Sequence, residues 1–514
     1  MRGPSRPVSA GALLVVPCAL IALAAFCYCA VRLLEVYPQP WPDEALFADA
    51  AARFARSGVL ASDLYREAVP SLTHGYYLTP PLYLLVVAAV FRIAGPGLVP
   101  LRMTSLAIGF LVLALTYGVA RRIAFGRIAA LGAVALLAGN IVFFRCALVG
   151  RMDGLSLAFV LLTAWLALGV APRTGWTGPG DLRAKYLGIG CAAGLAILSH
   201  PLGAVALPIG ILLGTTAAPK SAAAGPPPAG SGRAPRFGWF AASGLVLLGV
   251  LLCLLPWGLY ILRDARGFVE QFGNQLSRKV AGRTLASSLV LFLEHWVVPW
   301  PFVMAMMLAG LGGLVRLARD AGNGRGLWLV QLLLLLAVIV SGEPWYVVYV
   351  APLACVGIVR LVKLVDSTGL APALLGAGSA ALAGVQTALG IVLLVALTLP
   401  GHRAGTGIDA YQPWCRRIEQ AIPAGSTVLL DCIPAPNFGL TPGRYHLRFL
   451  RPAGFRIRPD LELEAMNAID YVVAGREIPD AELAAWVKAK SRSEAGIGTG
   501  ASFVRVIRLA RRPG

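Results

Sequence analysis

Asp43 and Glu44 follow the first apolar segment of the chain, inside the run Trp41-Pro-Asp-Glu44. A further carboxylate, Asp153, stands in Arg151-Met-Asp153 at the edge of another apolar run. Ionised carboxylates are avoided beside lipid and are kept there for a reason. If Asp43 and Asp153 meet at one membrane face, they can act on a substrate directly. They could equally hold a hard divalent cation, Mg²⁺ or Mn²⁺, beside a phosphate. A plainer account of Asp153 is a carboxylate well placed at a helix N-terminus, with Arg151 as its partner.

Other groups surround this pair in sequence. His74, Tyr76, Tyr77 and Thr79 precede Pro80-Pro81; the aromatics suit an interface belt, and His74 a metal or a sugar hydroxyl. Tyr346, in Glu343-Pro-Trp-Tyr346, either lines the site or caps helices. His200 reads as a satisfied core histidine at a helix break. The segment 262–287 carries Arg263, Arg266, Arg278, Lys279 and Arg283 on a face where the charge rule below does not expect them. Either these bind an anionic phosphate or they are a tolerated surface run.

The elements that must position these residues are membrane helices. The chain has 514 residues, 57% hydrophobic and only 14% charged, with mean hydropathy +0.73. That excludes an ordinary soluble protein. The net charge of +20 does not imply nucleic acid, because Lys and Arg gather in cytoplasmic loops of membrane proteins. The nine cysteines lie mostly in apolar runs and behave as small hydrophobes. Cys415 and Cys432 are exceptions that could pair or stay reduced.

Apolar runs fall near 11–34, 80–95, 98–120, 127–149, 153–171, 185–215, 237–261, 288–315, 326–341, 344–363 and 371–399. The stretch 185–215 is too long for one crossing, and Ser199-His200-Pro201 divides it in two. Basic loops around Arg121-Arg122, Arg173–Lys185, Lys220–Arg236 and Arg316–Arg325 are assigned to the cytoplasm, with the basic N-terminus. This puts 35–80, 150–153, 262–287, 342–344 and 400–514 on the other face. It also leaves 80–95 embedded rather than crossing.

The expected fold is thus an α-helical polytopic membrane protein of about 11–13 helices, with residues 1–400 as the membrane domain. The net-acidic loop 35–80 lies along its surface as amphipathic helices. Residues 401–514 read as a small extracytoplasmic α/β domain. Its strands are expected at 426–431, 468–473 and 503–507, with a helix at 482–490.

Together these features resemble the membrane-embedded GT-C superfamily of polyprenyl-phosphate-sugar glycosyltransferases, especially its protein O-mannosyltransferase and aminoarabinose-transferase group. The resemblance rests on Asp43-Glu44 after the first span, Pro80-Pro81-Leu82, Arg102, Arg151-Met-Asp153, and the spacing of apolar runs. It implies a GT-C fold and transfer, with inversion, of a sugar from a polyprenyl-phosphate donor to a lipid, glycan or protein acceptor. In that scheme Asp43 is the general base, with Glu44 beside it, and Asp153 assists or holds the cation. Arg151, Arg102, Arg278 and Lys279 receive the donor phosphate, and His74, Tyr77 and Tyr346 contact substrate. Thr79 stands where aminoarabinose transferases usually have a lysine, and Ser199-His200-Pro201 replaces a commoner Lys-Gly. A bacterial inner membrane is expected, because the sequence shows no eukaryotic retention signal and is compact for a eukaryotic protein of this kind.

Two other classes compete. A transporter or flippase for lipid-linked sugars would carry ionisable groups at mid-bilayer and repeated halves, and no repeat is found. A non-catalytic assembly subunit would survive loss of Asp43.

Overall fold

A computed structural model describes residues 10–35, 37–38, 42–62, 64, 69–123, 125–170, 179–216, 238–280, 284–294, 301–320, 322–341, 343–362, 370–399, 411–430, 445–448, 466–475, 481–497 and 503–510. Helices dominate up to residue 397. In order they are α1 (Ala10–Leu33), α2 (Pro42–Ser57), α3 (Leu82–Ala94), α4 (Leu98–Arg122), α5 (Arg127–Ala138), α6 (Ile141–Leu148), α7 (Asp153–Leu168) and α8 (Pro179–Ser199). Then come α9 (Ala206–Thr216), α10 (Trp239–Leu262), α11 (Ala265–Val280), α12 (Leu285–Phe292), α13 (Pro301–Asp320), α14 (Gly322–Ser341), α15 (Ala351–Val362) and α16 (Leu370–Leu397).

Among the described residues, five helices are long and apolar enough to cross a bilayer, six if the bent pair α5–α6 counts as one span. Six shorter apolar segments pack among them. With 13 residues, α3 falls short of the roughly 20 needed to cross. The sides of α10 and α16 that carry Leu251, Leu255 and Leu374 are exposed, the surface a lipid-facing helix requires. Their other faces join the apolar core through residues such as Val246 and Leu394.

Three runs depart from a simple reading. The stretch 185–215 divides as expected, α8 ending at Ser199 and a 3₁₀ turn, Pro201–Val205, leading into α9. The run 127–149, expected as one helix, is two, bent by 72°. Its break follows from Gly139-Asn140, because the Asn140 side chain accepts the N–H groups of Val142 and Phe143 and starts a new helix. The run 288–315 is likewise split between α12 and α13, which begins at Pro301, a residue suited to a helix start.

The C-terminal region holds a five-stranded sheet: β1 (Thr427–Leu430), β2 (His446–Arg448), β3 (Tyr471–Ala474), β4 (Ser491–Ile497) and β5 (Val504–Leu509). The order is β2-β1-β3-β5-β4. β2, β1 and β3 run parallel, while β5 is antiparallel to β3 and to β4. Leu429, Val472 and Ile507 form its core with Leu483 and Val487 of the helix Ala481–Lys490. Three of these strands and that helix lie where the sequence puts them. β2 and β4 do not announce themselves, because β2 is three residues long and β4 is exposed along most of its length. Cys415 is buried, and Cys432 lies outside the described residues.

Candidate active site

Helix α2 opens with Asp43 and Glu44 in its first turn. Neighbours on a helix point about 100° apart, so the two acids face different surroundings. Glu44 turns inward and is 0% exposed, as is Arg102 of α4. Arg102 grips it with Nε to Oε1 at 2.9 Å and Nη2 to Oε2 at 2.8 Å. The same guanidinium donates to the carbonyls of Leu34 (3.0 Å) and Pro38 (2.8 Å). The Gly150 N–H donates to Glu44 Oε1 at 2.8 Å.

This geometry corrects two expectations. Arg102 is spent on Glu44 and two carbonyls inside the protein, so it does not receive a donor phosphate. Glu44 is fully buried and bridged, so it anchors the loop rather than touching substrate. The anchor also fixes Gly150: a Cβ there would sit 2.5 Å from Leu101 Cδ2, a clash that only glycine avoids.

Asp43 faces the other way, its side chain 38% exposed. Arg151 reaches it with Nη1 at 2.6 Å from Oδ2, and reaches Asp153 with Nε at 2.9 Å from Oδ2. The convergence of Asp43 and Asp153 is thus realised, through the arginine between them. Asp153, at the head of α7, has a side chain only 4% exposed. Burial opposes the Arg151 charge, but Asp153 and then Asp43 outweigh it and hold the guanidinium above its usual range.

Two further groups lie on the far side of Asp153. His200 Nε2 lies 3.7 Å from Asp153 Oδ1 and 3.1 Å from the Tyr346 hydroxyl. Burial, reinforced by Asp153, pushes the Tyr346 phenol up, so it stays a neutral O–H. Beside Tyr346, the Trp345 ring lies 3.7 Å from the Arg145 guanidinium carbon, a cation–π contact. Tyr346 therefore joins the acid cluster as expected. His200 and Arg145 are additions, and only the proline after His200 hinted at a polar group held at a helix break.

Other expected residues lie elsewhere. Tyr77 belongs to a second cluster, its ring 5.2 Å from that of Tyr260 and 6.3 Å from that of Phe268. Its N–H donates to Gln271 Oε1 at 2.6 Å, and Gln271 Nε2 donates to Gly75 O at 2.8 Å and lies 3.0 Å from Ser71 Oγ. This seam joins the loop after α2 to α11. His74 is exposed at the end of the 3₁₀ turn Pro70–Thr73 and makes no side-chain hydrogen bond to the acid cluster among the described residues. Arg278 and Lys279 fall in α11, but their side chains lie outside the described residues.

As a place for Mg²⁺ or Mn²⁺ the acid cluster is a poor fit. Both Asp43 and Asp153 already hold one cation, the Arg151 guanidinium. No group of three or more His, Cys, Asp or Glu side chains with metal-site geometry gathers among the described residues.

Comparison with known proteins bears on the fold. Residues 79–223 match the family model of dolichyl-phosphate-mannose-protein mannosyltransferases. The fold is similar to that of ArnT from Cupriavidus metallidurans bound to undecaprenyl phosphate, with TM-score 0.61 and 16% identity over 98% of this chain and 99% of that one. The fold is GT-C. It is also similar to the oligosaccharyltransferase AglB from Archaeoglobus fulgidus in complex with an inhibitory peptide and a dolichol-phosphate (TM-score 0.51, 14% identity, 91% and 69% covered). Mycobacterial arabinofuranosyltransferase AftD matches with TM-score 0.52 and 14% identity, over 96% of this chain and 40% of that one. No curated protein matched the sequence. The partial family match and the shared fold both liken the chain to multi-pass membrane glycosyltransferases.

Proposed function

We propose that this protein moves a sugar from a polyprenyl-phosphate donor to an acceptor hydroxyl, with inversion, at the extracytoplasmic face of a bacterial plasma membrane. The observation that carries this reading is the placement of Asp43. It is the more accessible carboxylate of a cluster whose other acid, Asp153, is buried and fixed through Arg151. A general base must reach both the incoming acceptor and ordered support, and Asp43 has both.

In this scheme Arg151 holds Asp43 Oδ2, and Oδ1 takes the proton of the acceptor O–H. The acceptor oxygen attacks the anomeric carbon as the bond from that carbon to the phosphate oxygen breaks. The electron pair leaves with the polyprenyl phosphate, and the proton stays on Asp43 until product departs. Negative charge grows on the leaving phosphate, where preorganised cations are most effective. Arg151 lies in the cluster and is the first candidate to serve there, with Arg145, stacked on Trp345 beside Tyr346, and Arg278 and Lys279 of α11 as further candidates. Charge balance supports recruiting more than one. Arg151 alone faces two carboxylates, so a dianionic phosphate beside it needs a further positive group. His74 and Tyr77 remain candidates for acceptor or sugar contact from the loop after α2.

The test is release of polyprenyl phosphate by the purified protein in lipid. A panel of polyprenyl-phosphate sugars serves as donors and a membrane extract as the source of lipid, glycan and protein acceptors. Wild type should transfer from one donor, and folded Asp43→Asn should be slower by about 10³-fold, within the usual range for a lost general base. Equal rates would remove Asp43 from the mechanism. No transfer from any donor would favour a flippase or an assembly subunit.

A further inference from the structure

We propose that His200 is a positioning residue: it holds Tyr346 by a hydrogen bond, and its ring edge packed behind Asp153 limits where that carboxylate, and with it Arg151 and Asp43, can settle. This role rests on the transferase reading above. It begins in the backbone. Pro201 drives the residue before it out of the helical region, and His200 accordingly adopts φ −158° and ψ 143° at the end of α8. The extended turn swings the imidazole into the protein, where the residue is only 2% exposed.

The two ring nitrogens then do different things. Nδ1 accepts the N–H of Leu202 at 3.1 Å and caps the 3₁₀ turn. In a neutral imidazole that bond places the ring hydrogen on Nε2, an assignment made from the hydrogen-bond pattern. Nε2 is the atom 3.1 Å from the Tyr346 hydroxyl and 3.7 Å from Asp153 Oδ1. The rings of His200 and Tyr346 meet edge to face, 5.0 Å apart, and Tyr349 closes the group at 6.3 Å from each.

Capping alone does not call for histidine. A single short acceptor does that work, and asparagine is among the best residues for it. What histidine adds is the second nitrogen, fixed by a flat ring at the distance of Tyr346 and Asp153. Asp153 Oδ2 in turn holds Arg151 Nε, and Arg151 Nη1 holds Asp43. The brace therefore runs from the end of α8 to Tyr346 by a hydrogen bond, and reaches the head of α7 as a dipole turned toward the Asp153 carboxylate at 3.7 Å, without His200 touching substrate.

The two jobs can be separated by substitution. In His200→Asn the amide oxygen replaces Nδ1, which keeps the cap and removes the brace. In His200→Gln the amide nitrogen falls near the place of Nε2, which keeps the brace and gives up the cap. His200→Asn should melt close to wild type yet lose about ten- to a hundredfold in kcat with KM little changed, as expected when a reacting group is held out of line. His200→Gln should melt earlier and hold kcat within about threefold of wild type. A double substitution with Tyr346→Phe should be no slower than the slower single variant, since both act in one unit.

Transfer by wild type with kcat falling only as the melting midpoint falls, or with strictly additive losses, overturns the positioning role alone. Absence of transfer in wild type from every donor overturns the transferase reading, and the positioning role with it.

Discussion

Asp43 and Glu44 are adjacent in the chain, each is paired with an arginine, and they do opposite work. Glu44 and Arg102 form a closed pair, both side chains at 0% exposure, with further bonds to Gly150 and two carbonyls. Asp43 and Arg151 form an open pair, at 38% and 16% exposure, tethered at the back by Asp153. A buried charge must be paired and hydrogen-bonded, and the closed pair meets that demand inside the protein. The open pair is answered on one side only. The same carboxylate–arginine chemistry thus stands closed to water in one place and open to it, where the proposed reaction would occur, in the other.

Breaking the closed pair should have the largest effect. Glu44→Ala or Arg102→Met leaves a lone charge in the interior, at a cost of about 3–5 kcal/mol. The expected outcome is little folded protein in the membrane, read by size-exclusion profile and thermal melting. If either variant folds normally and only its kinetics suffer, the division between scaffold and reaction centre is wrong.

Arg151→Lys probes the open pair with the charge kept. One ammonium cannot make the directed, two-sided contact that Nη1 and Nε make, so the rate of transfer should fall about a hundredfold while folding persists. A near-normal rate would mean that only charge matters there.

Gly150→Ala tests the link between the pairs, because the Gly150 N–H serves Glu44 while the next residue is Arg151. The new Cβ must displace Leu101, which should cost about 1–3 kcal/mol and disturb Arg151 besides. Melting and kcat measured on one preparation should both decline, and an unchanged kcat would uncouple the two regions.

The smallest effect expected is that of a chelator. With Arg151 between the carboxylates, EDTA should leave transfer unchanged. Loss of activity restored by Mn²⁺ would show that a cation replaces the arginine during the reaction.

Much of this was legible in the sequence. Hydropathy and charge gave the membrane helices, Pro201 gave the break after α8, and short apolar runs gave three strands of the C-terminal sheet. Asp43, Arg151 and Asp153 stood out as ionisable groups at the ends of apolar runs. The assignment of Glu44 and Arg102 to the reaction failed for a physical reason. Sequence adjacency says nothing about which way a side chain faces until the helix phase is fixed, and here Glu44 turns to the core. His200 looked like a satisfied core histidine, which describes its Nδ1 but not its Nε2. Arg145 lay hidden because α5 and α6 read as one apolar helix, and the bend at Asn140 cannot be inferred from hydropathy. β4 escaped because an exposed edge strand owes its form to pairing with β5 rather than to its own pattern.

The bonds made by Glu44 also set an order of events during synthesis. Arg102 lies 58 positions downstream of it and Gly150 lies 106 downstream. A chain emerging from the ribosome therefore presents this carboxylate to the membrane long before either partner exists. Until α4 has been delivered, the segment carrying Glu44 is better off in water than in lipid. The loop that bears Asp43 can therefore seat itself only after α3 to α6 have been delivered.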